Sequence, residues 1–467
     1  MKWFCLILIA SSVLPCWAQS TLILQNPSDA PVGSFGPSED EQTPSAPAPQ
    51  AQATPSPTQP PPAPRITVKD AEALALKNNP AISVARLSAL AVHQVTREVR
   101  SNLWPSAYAN LTGVDAQENS RISAGALNNP IIYERAAAGA TVSQLITDFG
   151  HTTNLVASAR LHEKAEDQNA LATKEEILLA VDQAFYEALQ SAAVLKVADQ
   201  TVASRQMLSD QVQALTNSKL KSALDLSFAN VNLAQAKLLQ LDAQNNNKAA
   251  MASLSAILGF NTLQNFELLE DTSPFTQPPP SADELIAEAF SQRPEILALE
   301  FESESAAKLH NAERDALLPT ISALGAIGEA PVRNDHLSSW YGAVGVNVRI
   351  PVFNGFLYTA RTHEADLRAQ AANERLVDLR NRISRDVRTS WLNANTNYER
   401  VSVSQQLLDQ ANQALNLAST RYRLGLSSIV ELSQAQLQQT QAEIGSVTAG
   451  YDYRLALSIL RYQTTGL

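Results

Sequence analysis

Apolar and small residues recur at alternating steps of four and three from Val387 through Trp391, Ala394, Tyr398, Val401, Gln405, Leu408, Ala411, Leu415 and Ala418 to Tyr422. This is a heptad seam, the pattern of coiled-coil packing. No proline falls between Gly355 and Tyr422, so the pattern predicts one helix of about 65 residues, roughly 100 Å long at 1.5 Å per residue. The spacing resumes in Leu432, Ala435, Gln439, Ala442, Ser446, Ala449, Tyr453, Ala456 and Leu460, with small or polar residues at many seam positions. Small residues let a helix approach neighbours closely on more than one side. Between the two runs lies "YRLGLSSIVEL", Tyr422 to Leu432. Gly425 suits the left-handed conformation that ends a helix, and Ser427 or Ser428 can cap the next. An antiparallel helical hairpin is predicted, with its tip here.

A second pattern has period two. In "YGAVGVNVRIPVF", Val344, Val346, Val348 and Ile350 fall on one face, with Ala343, Asn347 and Arg349 on the other, as in a strand with one apolar and one polar side. "PTISALGAIG", "PSAYANLTG" and "AAAGATVSQLI" are weaker versions, and the intervening hairpin loops fall near Asn119 to Pro130 and Glu329 to His336.

Both patterns occur twice. "TVKDAEALALKNNPAI" from Thr67 matches "SADELIAEAFSQRPEI" from Ser281, an offset of 214 (281 − 67) that also pairs Pro80 with Pro294, Arg100 with Arg314 and Pro105 with Pro319. Such registration without gaps indicates a duplication. Both segments open as helix N-termini, and Ser281/Glu284 reads as the stronger capping box of the two, ahead of Thr67/Asp70. At the tips an offset of 206 (431 − 225) pairs Ser222 with Ser428, Asp225 with Glu431 and Leu226 with Leu432. Lys219 stands where the second tip has Gly425, and nearby Asn217 is the expected bearer of the left-handed turn. The repeats are placed at 66–259 and 281–467, with a linker at 260–280. The fold class is mainly α with a small β part: duplicated long antiparallel coiled-coil hairpins plus four strands per chain. Four strands leave two open edges, which invite pairing with other chains. Two copies would give eight strands and three would give twelve, so strand count calls for an oligomer without choosing its size.

The N-terminus changes the setting. An apolar run from Trp3 to Leu14, followed by Pro15-Cys16-Trp17-Ala18, predicts a secretory signal over 1–18; lipidation at Cys16 is the rival reading. Both cysteines fall inside that segment, so a cleaved chain has no disulfide chemistry. Residues 19–65 read as an extended Pro-rich tether, since 12 of the 24 prolines lie between Pro27 and Pro64; its alternative use is as a docking motif. A formal charge of −11 argues against a nucleic-acid surface.

"NNP" and "QRP" at the helix breaks, "LWPS" and "LLPT" at the strand entries, "LITDFG" and "IPVFNG" at the strand exits and "YRLGLSSIVELSQAQ" at the second tip resemble, in this order, the TolC-like outer membrane efflux protein family. The resemblance runs from Ile66 to the C-terminus. It implies a homotrimer whose strands form one 12-stranded outer-membrane β-barrel, in contact with outer-membrane lipid and continued by a periplasmic α-barrel. The function implied is the exit duct of a tripartite efflux pump or type I secretion system. The implied partners are a periplasmic adaptor and an inner-membrane transporter of RND, ABC or MFS type. Lys219 and Ser427 depart from the family pattern at the tips.

The resemblance and the tip positions together nominate three groups of residues. Asp225, Tyr422 and Glu431 are candidates for a channel constriction, in which copies of the acids converge and the Tyr422 hydroxyl bonds an acid such as Asp225 when the tube is shut. Without that convergence, each acid simply favours a helix N-terminus through the dipole. Ser218, Lys219, Leu220, Leu424, Gly425 and Leu426 are candidate adaptor-contacting tips, and Asn347 and Arg349 candidate lumen-facing strand residues. No enzyme constellation is present: HExxH, a phosphate-binding glycine loop and GxSxG are all absent. No cofactor is expected. The six histidines are scattered and read as solvated surface rather than metal ligands, and three methionines are too few for a thioether-lined copper path. The competing function is an exported coiled-coil spacer or adhesin stalk without a channel.

Overall fold

A computed structural model describes residues 64–115, 135–270, 273–330 and 338–465. Contacts divide the chain into units 1–61 and 62–467, and every described residue belongs to the second. The predicted leader at 1–18, nearly all of the tether at 19–65, the loop at 119–130 and most of the loop at 329–336 lie outside the described residues.

The element order is β1 (Arg65–Ile66), α1 (Val68–Asn78), α2 (Pro80–Ser101), β2 (Ser106–Val114), β3 (Arg135–Thr147), α3 (His151–Asn217), α4 (Ala223–Ile257) and β4 (Glu267–Leu268), then α5 (Ala282–Gln292), α6 (Pro294–Asp315), β5 (Thr320–Glu329), β6 (Trp340–Arg349), α7 (Leu357–Arg423) and α8 (Ile429–Thr464). After the short β1, the series helix, helix, strand, strand, long helix, helix runs through twice. Each first helix breaks where the sequence places a proline, because Pro80 and Pro294 open the next helix at a position whose N–H needs no partner. Asn79 caps that restart, its Oδ1 accepting from Ala81 N at 2.8 Å.

The capping expectation at the repeat starts is reversed. Thr67 and Asp70 form a complete box, whereas Ser281 makes no side-chain cap bond. The serines and threonine that do cap sit near φ −90° and ψ 160° (Thr67 −91°, 170°; Ser222 −85°, 157°; Ser428 −85°, 162°). Ser281, at φ −128° and ψ 125°, does not. One first-turn acid there is instead turned outward, Asp283 accepting from Arg388 at 2.9 Å.

α3 and α7 contain 67 residues each, about 100 Å. Each is flanked along its length by two shorter partners: α2 and α4 pack on α3, and α6 and α8 on α7, while α6 and α8 also pack on α3 and join the repeats. Many of the predicted seam positions are buried: Val387 and Ala394 on α7 and Tyr453 on α8 are fully enclosed, with Ala411, Ala418, Leu432, Ala442 and Ala449 close behind, whereas Gln405 is exposed and Trp391, Tyr398, Leu408 and Leu415 are half-buried. Larger cores form beside the helix breaks, around Phe185, Leu254 and Leu258 in one repeat and Ile296, Ile383 and Val387 in the other. No described helix is long and apolar enough to cross a membrane.

β2, β3, β5 and β6 form one antiparallel sheet in the order β2-β3-β5-β6, leaving β2 and β6 as unpaired edges. Side chains alternate across a strand, so the register sorts the whole sheet. One face carries Ala107, Ala109 and Leu111, then Ala140 and Val142, then Ile321, Ala323 and Ile327, then Val344, Val346 and Val348. The other carries Ser106, Tyr108, Asn110 and Thr112, Thr141 and Ser143, Thr320 and Ser322, and Asn347 and Arg349, with Val114, Leu145 and Leu324 as apolar exceptions, while Gln144 and Glu329 are polar exceptions on the first face. All ten residues of β6 are exposed, Val344 at 93%. An apolar face this large and this bare is a surface made for a partner or for lipid.

Candidate functional site at the helical tips

The two long hairpins end in turns built alike. At the first, Lys219 N donates to Thr216 O at 2.9 Å and Leu220 N reaches back to Leu215 O at 2.9 Å. At the second, Gly425 N donates to Tyr422 O at 3.1 Å and Leu426 N to Arg421 O at 2.8 Å. The long reach-back bond is the Schellman closure, which satisfies carbonyls left over at a helix end. It requires a left-handed residue, supplied by Gly425 at φ 73° and by Lys219 at φ 62°. The expectation that Asn217 would take that conformation is corrected: Asn217 is the last residue of α3. The closing bond spans a fixed number of residues, so position decides over residue preference.

Past each turn a serine restarts the helix. Ser222 Oγ accepts from Asp225 N at 3.1 Å, while Ser222 N and Oγ donate to Asp225 Oδ2 at 3.1 and 2.8 Å. Ser428 Oγ accepts from Glu431 N at 3.4 Å, and Glu431 turns to Arg421 across the turn, 3.3 Å from its Nε. Asp225 and Glu431 therefore both serve their own helix starts. Ser218, Lys219, Leu220, Leu424, Gly425 and Leu426 stand at the very ends, and Leu220, Leu424 and Leu426 are about 70% exposed. With Leu224 and Val430 exposed just beyond the turns, both tips present apolar side chains to the outside.

Tyr422 behaves differently. Its ring is buried among Ala418, Ile429, Leu432 and Leu208, and its hydroxyl is enclosed without a hydrogen-bond partner, as is Ser427 Oγ. Burial first, and then the charge of Asp225, pushes the Tyr422 hydroxyl above the usual phenol range. Asp225 and Tyr422 are thus brought together but not bonded, since the carboxylate is engaged in its cap. Two links between the hairpins were not foreseen from sequence: Lys221 Nζ lies 4.0 Å above the Tyr422 ring, and Asn232 Nδ2 donates to Ser433 Oγ at 2.6 Å. Further from the tips, buried Arg205 of α3 donates to Thr440 Oγ1 of α8 at 3.3 Å, and burial lowers its guanidinium to about 10. At the opposite end of the molecule, Asn347 and Arg349 lie together on the polar face of the sheet, opposite Ser322 and Thr320.

The sequence model of a family described as outer membrane efflux protein matches residues 73–260 and 285–464. The chain is 24% identical over 399 residues to the outer membrane protein OprJ of Pseudomonas aeruginosa, covering 82% of this chain and 81% of that one. It is 25% identical over 337 residues to the outer membrane protein TolC of Vibrio cholerae, covering 70% and 75%. Among solved structures, that of the outer membrane protein VceC from Vibrio cholerae superposes with a TM-score of 0.73 at 17% identity, covering 85% of this chain and 96% of that one.

Proposed function

The chain belongs to the outer membrane efflux protein family, and on that premise we propose that three copies build one exit duct whose helical tips form its periplasmic gate. As a family member it is an outer-membrane efflux protein. The single observation that carries the finer reading is the sheet. Its two edges are open, one face is mostly apolar and largely exposed, and it continues into helices about 100 Å long. Three such sheets give twelve strands, enough for a closed barrel with lipid outside and Asn347 and Arg349 inside. A stalk without a channel has no use for a bare apolar face above polar strand positions.

In this reading the substrate leaves an inner-membrane transporter of RND, ABC or MFS type, or a secretion machine, and passes an adaptor seated on the tips. The exposed leucines at the tips support that seat, since exposed apolar surface rimmed by polar residues marks protein contact sites. Asp225, Tyr422 and Glu431 form the constriction. Asp225 has two uses, capping α4 or bonding the stranded Tyr422 hydroxyl, and a buried hydroxyl left unpaired costs about 1–3 kcal/mol. Exchange of Asp225 between these uses couples the gate to local helix capping. Rings of Asp225 and Glu431 carboxylates favour cations in a narrow aqueous pore.

Purified protein should run as a trimer in native mass spectrometry and give discrete conductance steps in planar bilayers. Glu431→Gln should lower the preference for cations without abolishing the steps. Monomers with silent bilayers would sink the duct, and unchanged selectivity would remove Glu431 from the constriction.

A further inference from the structure

Packing of α3 against α6 is antiparallel, and its bonds follow a steady register. His151 Nδ1 lies 2.8 Å from Ala312 O, Ser158 Oγ lies 2.9 Å from Ser305 Oγ, and Lys164 Nζ sits 5.4 Å from the centre of the Phe301 ring. That register sets Glu302 opposite His162. Glu166 lies four residues along α3 from His162, on the same helical face. One ligating atom from each of His162, Glu166 and Glu302 falls within 4.8 Å of the others. His162 is exposed and the two glutamates are half-buried.

The neighbouring face of α3 provides a contrast. There His93 of α2 is held between Glu163, 2.8 Å from Nδ1, and Asp167, 3.3 Å from Nε2. Each imidazole nitrogen already has its own acid, so that group is a satisfied ion-pair cluster. No described cation pairs with Glu166 or Glu302. Lys164, two residues from both His162 and Glu166 on α3, lies over the Phe301 ring instead. Two carboxylates held close together with no counter-charge repel each other unless a cation sits between them.

We propose that His162, Glu166 and Glu302 form a binding site for a borderline divalent cation such as Zn2+, bridging the first repeat to the second through α3 and α6. The donor set selects the ion. One imidazole and two carboxylates suit Zn2+ and its neighbours in the transition series, whereas Ca2+ and Mg2+ want all-oxygen shells and Cu(I) wants sulfur. A tetrahedral Zn2+ with ligands at about 2.0–2.2 Å holds them about 3.4 Å apart, so only ordinary side-chain rotation is needed to close the site. Three protein ligands leave the fourth position for water. The site is about 80 Å along α3 from Asn217, which separates it from the tips, and it does not depend on the export reading.

Titration calorimetry on tag-free, chelator-stripped protein tests it, with Zn2+ as the probe and Ca2+ as competitor. One Zn2+ per chain is expected, with Ca2+ unable to displace it and the melting temperature raised. Glu302→Gln, which keeps the side-chain shape, and His162→Ala should each weaken binding about tenfold or more, while His93→Ala leaves it unchanged. Absence of Zn2+ binding by the parent, or equal affinity in Glu302→Gln and His162→Ala with native circular dichroism, overturns the site.

Discussion

Lys219 and Gly425 occupy the same place in two superposable turns, and only one of them is free to be there without strain. A side chain on left-handed backbone costs about 1–2 kcal/mol, partly offset because glycine loses more chain entropy on folding. Lys219→Gly is therefore expected to stabilise the first tip by up to about 1 kcal/mol. A Cβ placed on Gly425 would meet nothing within 4 Å, so the cost of substitution there is purely one of backbone. Gly425→Lys should cost up to about 1 kcal/mol and Gly425→Val about 1–3 kcal/mol, read as faster hydrogen exchange at the Leu426 amide. Equal protection in Gly425→Val and the parent would show that the turn is held by something other than its conformation. The second turn was legible because glycine is itself the signal. The first was not, because lysine signals nothing about left-handed backbone and the bonds around it impose the conformation. Asp225 and Glu431 were legible as first-turn acids. The Lys221 contact with Tyr422 was not, since it joins residues about 200 positions apart.

Among the elements, α1, α3 and α8 meet at an acid pair that periodicity cannot reveal. Asp182 of α3 is almost fully enclosed, and its Oδ1 has no partner. Its carboxyl faces Glu72 of α1, with Ser458 and Arg461 of α8 and Lys69 of α1 as the other facing groups. Burial first, and then Asp182, pushes the Glu72 carboxyl from its usual 4.5 up to about 7, and burial also raises Asp182. The folded chain thus keeps a proton that the unfolded chain has already released. That contribution to stability is complete below about pH 4.5 and is lost as pH rises through about 7. Glu175, pushed up to about 7 by burial and by Glu295, titrates in the same window. The melting temperature should therefore fall between pH 5 and pH 8, and Asp182→Asn should roughly halve that slope. An unaltered slope would free the pair of any role in the pH response. The seams of α7 and α8 could be read directly because one period repeats over many turns, whereas the pair depends on how three elements far apart in sequence are brought to one point.

For the whole molecule, parity along β6 is the sharpest handle on assembly. Val346 lies on the bare apolar face, and Asn347, one residue on, lies on the polar one. In the proposed barrel, Val346→Lys should cost about 2–4 kcal/mol per chain at the middle of a bilayer and abolish heat-resistant oligomers on unboiled gels, whereas Asn347→Lys should leave them intact. Loss of oligomer in both variants alike would mean that β6 matters as an edge and not through its faces. The alternation of β6 was visible in the sequence because valine recurs at every second position from Val344 to Val348; β2 and β3, rich in alanine and glycine, show their faces only once the register is known. That register has a further consequence. The β3–β5 seam joins the two halves of one chain by the same antiparallel pairing that β2 and β6 leave available to another chain. If three chains close the proposed ring, a half-length ancestor with two strands would have to recruit six bodies to do the same, so the duplication would lower the kinetic order of assembly and let a duct form at far greater dilution.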